Sequence, residues 1–261
     1  MEQLSVLNFG DWAGYLFLIT LRVLSTFMSS PIFGRNVPSV AKIVLSVLIA
    51  YMLFSVMGIS SPLEFNGVLD YALACLKEII LGALFSLVMF MSFTCVYLAG
   101  HSIDVHMGFG FSMLYDSQIN NQANITSTFL NVILVILFFA ADAHHTMFRL
   151  LAQTFTQIPP GTVVLGTEFV NVVIQVFINS FIVALQIAMP ILAVSMIIQV
   201  LLGVIMKSVP QINYFIIGFP AKIFLGFVVL MIMIPVFAAY SSTLFDNMFT
   251  AVQQMFEVIG K

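Results

Sequence analysis

The chain has 261 residues, 61% of them hydrophobic and 7% charged, with a formal net charge of −3 and a mean hydropathy of +1.13. A soluble domain carries about 25% charged residues, so a wetted globule is excluded and the chain reads as a polytopic membrane protein or a subunit buried in an apolar assembly. The small net charge offers no footprint for nucleic acid.

The N-terminus, MEQLSVLNFGDW, lacks a basic region and carries Glu2 and Asp11. A cleaved signal peptide is not expected, and the first apolar run, Trp12–Met28, is expected to stay in the mature protein. Arg22 stands near its middle. A central Arg costs about 2.5–3.5 kcal/mol on insertion scales, so it must snorkel, meet a carboxylate on another helix, or face a watery interior. Pro31, Gly34 and Pro38 interrupt the chain before a short second run, Ile43–Met57. An acidic turn with Glu64 and Asp70 leads into the third run, Tyr71–Ala99. Lys77 and Glu78 put the first part of that run outside the hydrocarbon core. Gly82 and Ser86 form a small-xxx-small pair, which lets helices approach closely. Cys75 and Cys95 share one apparent helix and stand roughly 30 Å apart at 1.5 Å per residue, too far to pair.

The longest polar interval is Gly100–Asn124, GHSIDVHMGFGFSMLYDSQINNQAN. It holds Asp104 and Asp116, two histidines, three asparagines, two glutamines and three glycines, and no Lys or Arg. Membrane-length apolar runs lie on both sides of it. Gly108 and Gly110 permit backbone angles that other residues avoid. His106, Met107, Phe109, Phe111, Met113, Leu114, Tyr115 and Asp116 surround them with bulky, adaptable side chains. The stretch reads as a flexible closure over a passage, held by the helices that flank it.

The next run, Ile125–Ala141, is expected to continue through Asp142 to Arg149. At 100° per residue, Asp142, His145 and Arg149 share a helix face while His144 points elsewhere. An Asp/His pair invites a metal or proton-relay reading, but a metal site wants three or four ligands and this face offers two. A structural pair at a helix end is the simpler account. With Arg22, Asp142 is the second candidate for a buried charge.

Ile158-Pro-Pro-Gly161 ends that helix. Thr167–Lys207 would be about 60 Å as one helix, twice a bilayer, and Pro190 predicts a bent, overlong rod. Asn171, Gln175, Asn179 and Gln186 fall within about 80° of arc. This amide stripe suits hydrogen bonding to a neighbouring helix or the polar wall of a channel. Gly203–Lys222, with its two prolines, two glycines and two lysines, reads as a hinge or loop. The last run is Ile223–Phe245. The tail, Asp246–Lys261, reads as a short amphipathic helix, apolar at Met248, Val252, Met255, Phe256 and Ile259, for a partner or the interface. About six spans result. Placing the Arg35/Lys42 and Lys207/Lys222 segments in the cytoplasm satisfies the positive-inside rule with both termini outside.

Three stretches together resemble the FliR family of flagellar type III export-gate subunits, whose injectisome relatives are the SctT proteins. The first is AGHSIDVHMGFGFSMLYDSQINNQ. The second is AADAHHTMFRLLAQTFTQIPPG. The third and most specific carries Lys207, Pro210, Gln211, Asn213, Phe215, Gly218, Pro220 and Lys222 at the family's spacing. The resemblance spans nearly the whole chain. It departs at Lys207, where many relatives have Arg and the charge is kept, and the GFPAK wording leans flagellar. It implies an all-α polytopic membrane subunit with long bent helices, one FliR-like domain over residues 1–261. In that frame 1–100 are N-terminal helices, 101–124 the pore-plug loop and 125–261 C-terminal helices. The implied setting is a helical multi-subunit gate in the bacterial inner membrane and flagellar basal body. Its implied partners are FliP-like and FliQ-like subunits, FlhB and FlhA, and unfolded exported proteins, with no nucleic acid and no cofactor. A plug in this family maps here to about His106–Asn121.

Other function classes fit less well. A secondary transporter needs ionisable groups at mid-membrane on facing helices, and Arg22 and Asp142 are the only candidates. An enzyme is not expected, because no GxSxG, HExxH or paired catalytic carboxylates occur and no catalytic residue is assigned.

Overall fold

A computed structural model of the chain describes residues 9–33, 37–57, 67–109, 124–163, 166–209 and 214–259. Among these residues the chain is about 90% helical and has no strand. The elements are α1 (Phe9–Ser29), α2 (Ser39–Met57), α3 (Val68–Met107), α4 (Ile125–Ala140), α5 (Ala143–Gln157), α6 (Phe169–Ser208) and α7 (Tyr214–Ile259). Five of them (α1, α2, α3, α6 and α7) are long and apolar enough to cross a membrane. This is a polytopic all-α membrane protein. The helix suits such sequences because it satisfies every backbone polar group within the segment, where no water can.

Three helices are far longer than a bilayer requires. α3 and α6 have 40 residues each and α7 has 46, about 60 and 70 Å at 1.5 Å per residue. Pro190 lies within α6, and Pro220 and Pro235 lie within α7. Each proline removes one intrahelical donor, yet the helices continue, as membrane helices allow.

Two expectations are corrected by these bounds. Much of the segment expected as a hinge or loop over 203–222 is helical: α6 persists to Ser208, and Gly218, Pro220 and Lys222 are inside α7. The tail is not a separate amphipathic helix, because α7 runs unbroken to Ile259. Its apolar residues Met248, Val252, Met255, Phe256 and Ile259 are buried against their own chain, with Phe256 stacked 5.7 Å from Phe85.

The chain divides into two compact units. The first comprises Met1–Met91, Asp142–Phe177 and Asp246–Lys261, and the second Ser92–Ala141 and Ile178–Phe245. In the first unit, Leu18, Ile19, Val23 and Phe27 make the buried stripe of α1, and Leu81, Phe85, Leu151, Phe155 and Met255 complete the core. α2 contributes only Lys42, Ser46, Ala50 and Phe54, one residue per turn, with Phe54 edge-on to Trp12 at 5.5 Å. Most of the remaining face of α2, including Val40, Val44, Leu48, Met52 and Val56, is exposed and apolar. In the second unit Phe138 is the central ring, 5.8 Å from Phe93 and 5.4 Å from Phe245.

Candidate functional site

The polar interval begins later than its composition suggests. α3 carries on through His106 and Met107, so these two residues are helical rather than part of a loop. Gly108 then takes φ +91°, and a Cβ there would lie 2.6 Å from Cε1 of Phe219. Both the left-handed angle and the close ring demand glycine. Phe109 meets Phe227 edge-on at 5.7 Å. Gly110, Phe111, Met113, Leu114, Tyr115 and Asp116 lie outside the described residues.

The two ends of the interval are joined to each other. Asp104 is 2% exposed. Its Oδ1 and Oδ2 accept the Thr126 N–H at 3.0 and 3.2 Å, and Oδ2 accepts that of Ser127 at 3.5 Å. These are first-turn donors of α4, which have no partner within their own helix. Asn124 occupies the cap position of α4 but supplies no side-chain cap. Asp104 on α3 does so instead, and its negative charge meets the positive end of the α4 dipole. Asn124 is turned the other way: its Nδ2 donates to Tyr97 Oη at 2.9 Å, and its Oδ1 lies 3.2 Å from His101 Nδ1. A Cβ on Gly100 would strike the backbone of Ser127, so α3 and α4 touch main chain to main chain.

Below this junction, in the same unit, lies a cavity of about 480 Å³ walled by Val105, His106, Gly108, Met206 and Phe219. Lys222 also lines it and is 8% exposed; its Nζ donates to Gln199 Oε1 at 3.4 Å. No carboxylate pairs with Lys222 among the described residues.

The first unit holds a different kind of charge. Arg22 is 1% exposed and Glu78 fully buried. Arg22 Nε donates to Glu78 Oε2 at 2.5 Å and Nη2 to Oε1 at 3.1 Å, a two-pronged pair. Nη1 donates to the carbonyls of Thr154 and Ile158, both at 3.1 Å. Glu78 Oε1 also accepts the Gly161 N–H at 2.9 Å. The Phe155 ring lies 4.3 Å under the guanidinium. One ion pair thus fastens α1 to α3, to the end of α5 and to the Pro-Pro-Gly turn. Gly82 allows it: a Cβ there would overlap the Arg22 carbonyl and the Ser25 hydroxyl. Glu78, which the sequence places at a charged helix end, is held inside the protein by Arg22.

Comparison with known proteins decides the affiliation. The family described as "Bacterial export proteins, family 1" matches residues 13–248. The flagellar biosynthetic protein FliR of Bacillus subtilis is 27% identical over 247 residues, covering 93% of this chain and 95% of that protein. FliR of Pectobacterium carotovorum is 26% identical over 244 residues, covering 92% and 91%. FliR of Escherichia coli K12 is 24% identical over 254 residues, covering 95% of each. The chain belongs to the FliR family.

FliR proteins are components of the flagellar export apparatus and not enzymes, so the chain is a membrane subunit of that apparatus. The remaining predicted residues are read in that light. Asp142 is not a buried charge: its side chain is 74% exposed and meets His145 Nδ1 at 3.4 Å, a surface contact. The helix does not run through it. α4 ends at Ala140, and Asp142 adopts φ 54°, a left-handed angle that Asp takes more readily than most residues. The face arithmetic therefore fails across residue 142. His144 and His145, expected to diverge, have ring centroids 4.0 Å apart. Donor atoms of Asp142, His144 and His145 lie within 4.8 Å of one another. They sit at the N-terminal, positively polarised end of α5, which disfavours a cation, and we assign no metal there.

The amide stripe of Asn171, Gln175, Asn179 and Gln186 is exposed along α6, while Val176, Ala184, Ala188 and Ile191 face inward. Of the bend motif, Lys207 is exposed in the last turn of α6, Gly218 is buried and Pro220 exposed in α7. Phe215 is in α7 with its side chain outside the description, and Pro210, Gln211 and Asn213 lie outside it altogether. Sequence reasoning missed Asp104 as a cap and Glu78 as the partner of Arg22. The signal for Asp104 was an acidic residue in an apolar helix with no cation nearby in the chain.

Proposed function

We propose that the chain is a core subunit of the flagellar type III protein export gate. With FliP-like and FliQ-like subunits it forms the channel by which unfolded flagellar proteins cross the bacterial inner membrane, in contact with FlhB and FlhA. The segment from His106 to about Asn121 plugs the closed pore. Bulky Phe, Met and Tyr side chains on glycine hinges can block ions when idle and yield to a passing chain. Membership of the export family supports the first part of this reading. What supports the second is the composition of the segment, polar and free of Lys and Arg, together with the contacts that join α3 to α4 on either side of it. The exposed apolar faces of α2, α6 and α7 supply the surfaces that neighbouring subunits and lipid would cover.

Deletion of Gly108–Gln118 tests the plug. The expected result is an assembled complex that leaks ions in the idle state. An assembled complex as ion-tight as the parent would overturn the reading.

A further inference from the structure

We infer that the cavity beside Lys222 is a binding site for the headgroup of an anionic phospholipid of the phosphatidylglycerol type. The inference goes beyond the export reading and uses no part of the plug. Lys222 is 8% exposed, and its Nζ donates to Gln199 Oε1 at 3.4 Å. An ammonium has three hydrogens to give, so this one long bond leaves capacity for a further acceptor. A buried charge persists only when it is paired or fully hydrogen-bonded, and no carboxylate among the described residues pairs with this one. The cavity of about 480 Å³ that Lys222 lines has the size of a small-ligand pocket. An anion seated there meets both needs.

The surroundings favour a lipid phosphate over a carboxylate of a neighbouring chain. Lys222 lies near the start of α7, and Gln199 lies in α6; both helices are apolar enough to cross a membrane. Close in sequence to these two residues, Val200 and Val204 on α6 and Phe224 and Val228 on α7 are exposed, which offers apolar surface to acyl chains. Lys207, exposed in the last turn of α6, follows Met206 of the cavity wall and adds a second cation at this end of α6. Basic pockets between membrane helices take up anionic headgroups. His106, on the exposed side of the wall, selects among them. Its Nδ1 lies 2.8 Å from the Ser102 carbonyl, which only accepts, so Nδ1 carries the proton of a neutral ring and Nε2 is left an acceptor. That suits the hydroxyls of a phosphoglycerol headgroup. The ammonium of a phosphoethanolamine headgroup would instead meet Lys222 as a like charge.

The test uses the full chain in its assembled complex, delipidated in detergent. Dioleoyl-phosphatidylglycerol is titrated in, and bound lipid is counted by native mass spectrometry. The Lys222→Met complex is expected to lose one lipid that the parent holds, or to need about fivefold more to fill that site, the worth of one basic residue at an anionic surface. Lys222→Arg keeps the charge and is expected to keep the site, and Lys207→Met is expected to weaken it less than Lys222→Met. A second arm reads Lys222 itself, as its acetylation by acetic anhydride in the parent complex. Phosphatidylglycerol is expected to shield it. Dioleoyl-phosphatidylethanolamine is expected not to, and millimolar inorganic phosphate is expected neither to shield it nor to displace the lipid.

Equal phosphatidylglycerol binding by the parent and Lys222→Met complexes would overturn the inference. So would shielding by inorganic phosphate, which marks a site for a free anion, or by phosphatidylethanolamine, which marks an apolar groove without charge selection. A zero-length carbodiimide link from Lys222 to a protein carboxylate, in this chain or another subunit, would also overturn it, because the counter-charge would then be protein. If Lys222→Met does not assemble, the parent complex decides: shielding of Lys222 by phosphatidylglycerol alone, with no carbodiimide link, upholds the site, and any other result rejects it. None of these readouts depends on whether the complex leaks or exports, so the plug reading stands or falls separately.

Discussion

Two buried cations, Arg22 in the first unit and Lys222 in the second, are treated in opposite ways. Arg22 is closed in: a two-pronged carboxylate, two carbonyls and an aromatic ring account for its guanidinium. Lys222 is left open: one amide oxygen at 3.4 Å faces an ammonium that has three hydrogens to give, beside a cavity of about 480 Å³. The contrast separates two uses of charge in an apolar chain. Arg22 serves cohesion, since removing any partner leaves a buried charge unmet. Lys222 contributes little to the fold of its own unit and leaves unused hydrogen-bonding capacity facing a space.

The contrast can be broken most forcefully at Glu78. Glu78→Ala should destabilise the purified chain by about 3–5 kcal/mol, the penalty for orphaning a buried charge. A detergent thermal melt reads this, and the double change Arg22→Met with Glu78→Met should recover most of the loss. A melt unchanged in Glu78→Ala would show that the carbonyls of Thr154 and Ile158 suffice. Gly82→Ala comes next. Its methyl would overlap the Arg22 carbonyl, forcing α1 from α3 at about 1–3 kcal/mol, as overpacking does. A neutral Gly82→Ala would mean that α1 shifts freely and the pair is less rigid than its geometry. The smallest effect belongs to Lys222→Met. In the isolated chain it should cause no loss and a gain of up to about 1 kcal/mol, because an under-compensated charge leaves. A loss as large as that of Glu78→Ala would erase the distinction.

Much of this was legible in the residues, for specific reasons. Apolar runs name membrane helices directly, and an Arg amid one demands a partner, so Arg22 was marked as a problem needing a carboxylate. Glu78 was not recognisable as the answer. Beside Lys77 it looks like a charged helix end, and only the return of α5 and the Pro-Pro-Gly turn reveals the enclosure. Prolines misled in α7, where Pro220 suggested a hinge although membrane helices absorb such residues. Asp142 misled in the other direction. The sequence AADAHH has no Gly or Pro to announce a break, and the left-handed angle of one Asp makes it. The cap by Asp104 was hidden because periodicity describes one helix at a time, and this contact joins two.

The reach of Arg22 along the chain also sets a timetable for synthesis. Its carbonyl acceptors lie 132 and 136 residues downstream. At ~5–20 residues per second, the ribosome needs on the order of ten seconds to deliver them after α1 emerges. Glu78 follows sooner, 56 residues downstream, and until it is made the first helix carries an unpaired guanidinium worth about 2.5–3.5 kcal/mol against insertion. The full set of partners around Arg22 is therefore in place only after the Pro-Pro-Gly turn has been made.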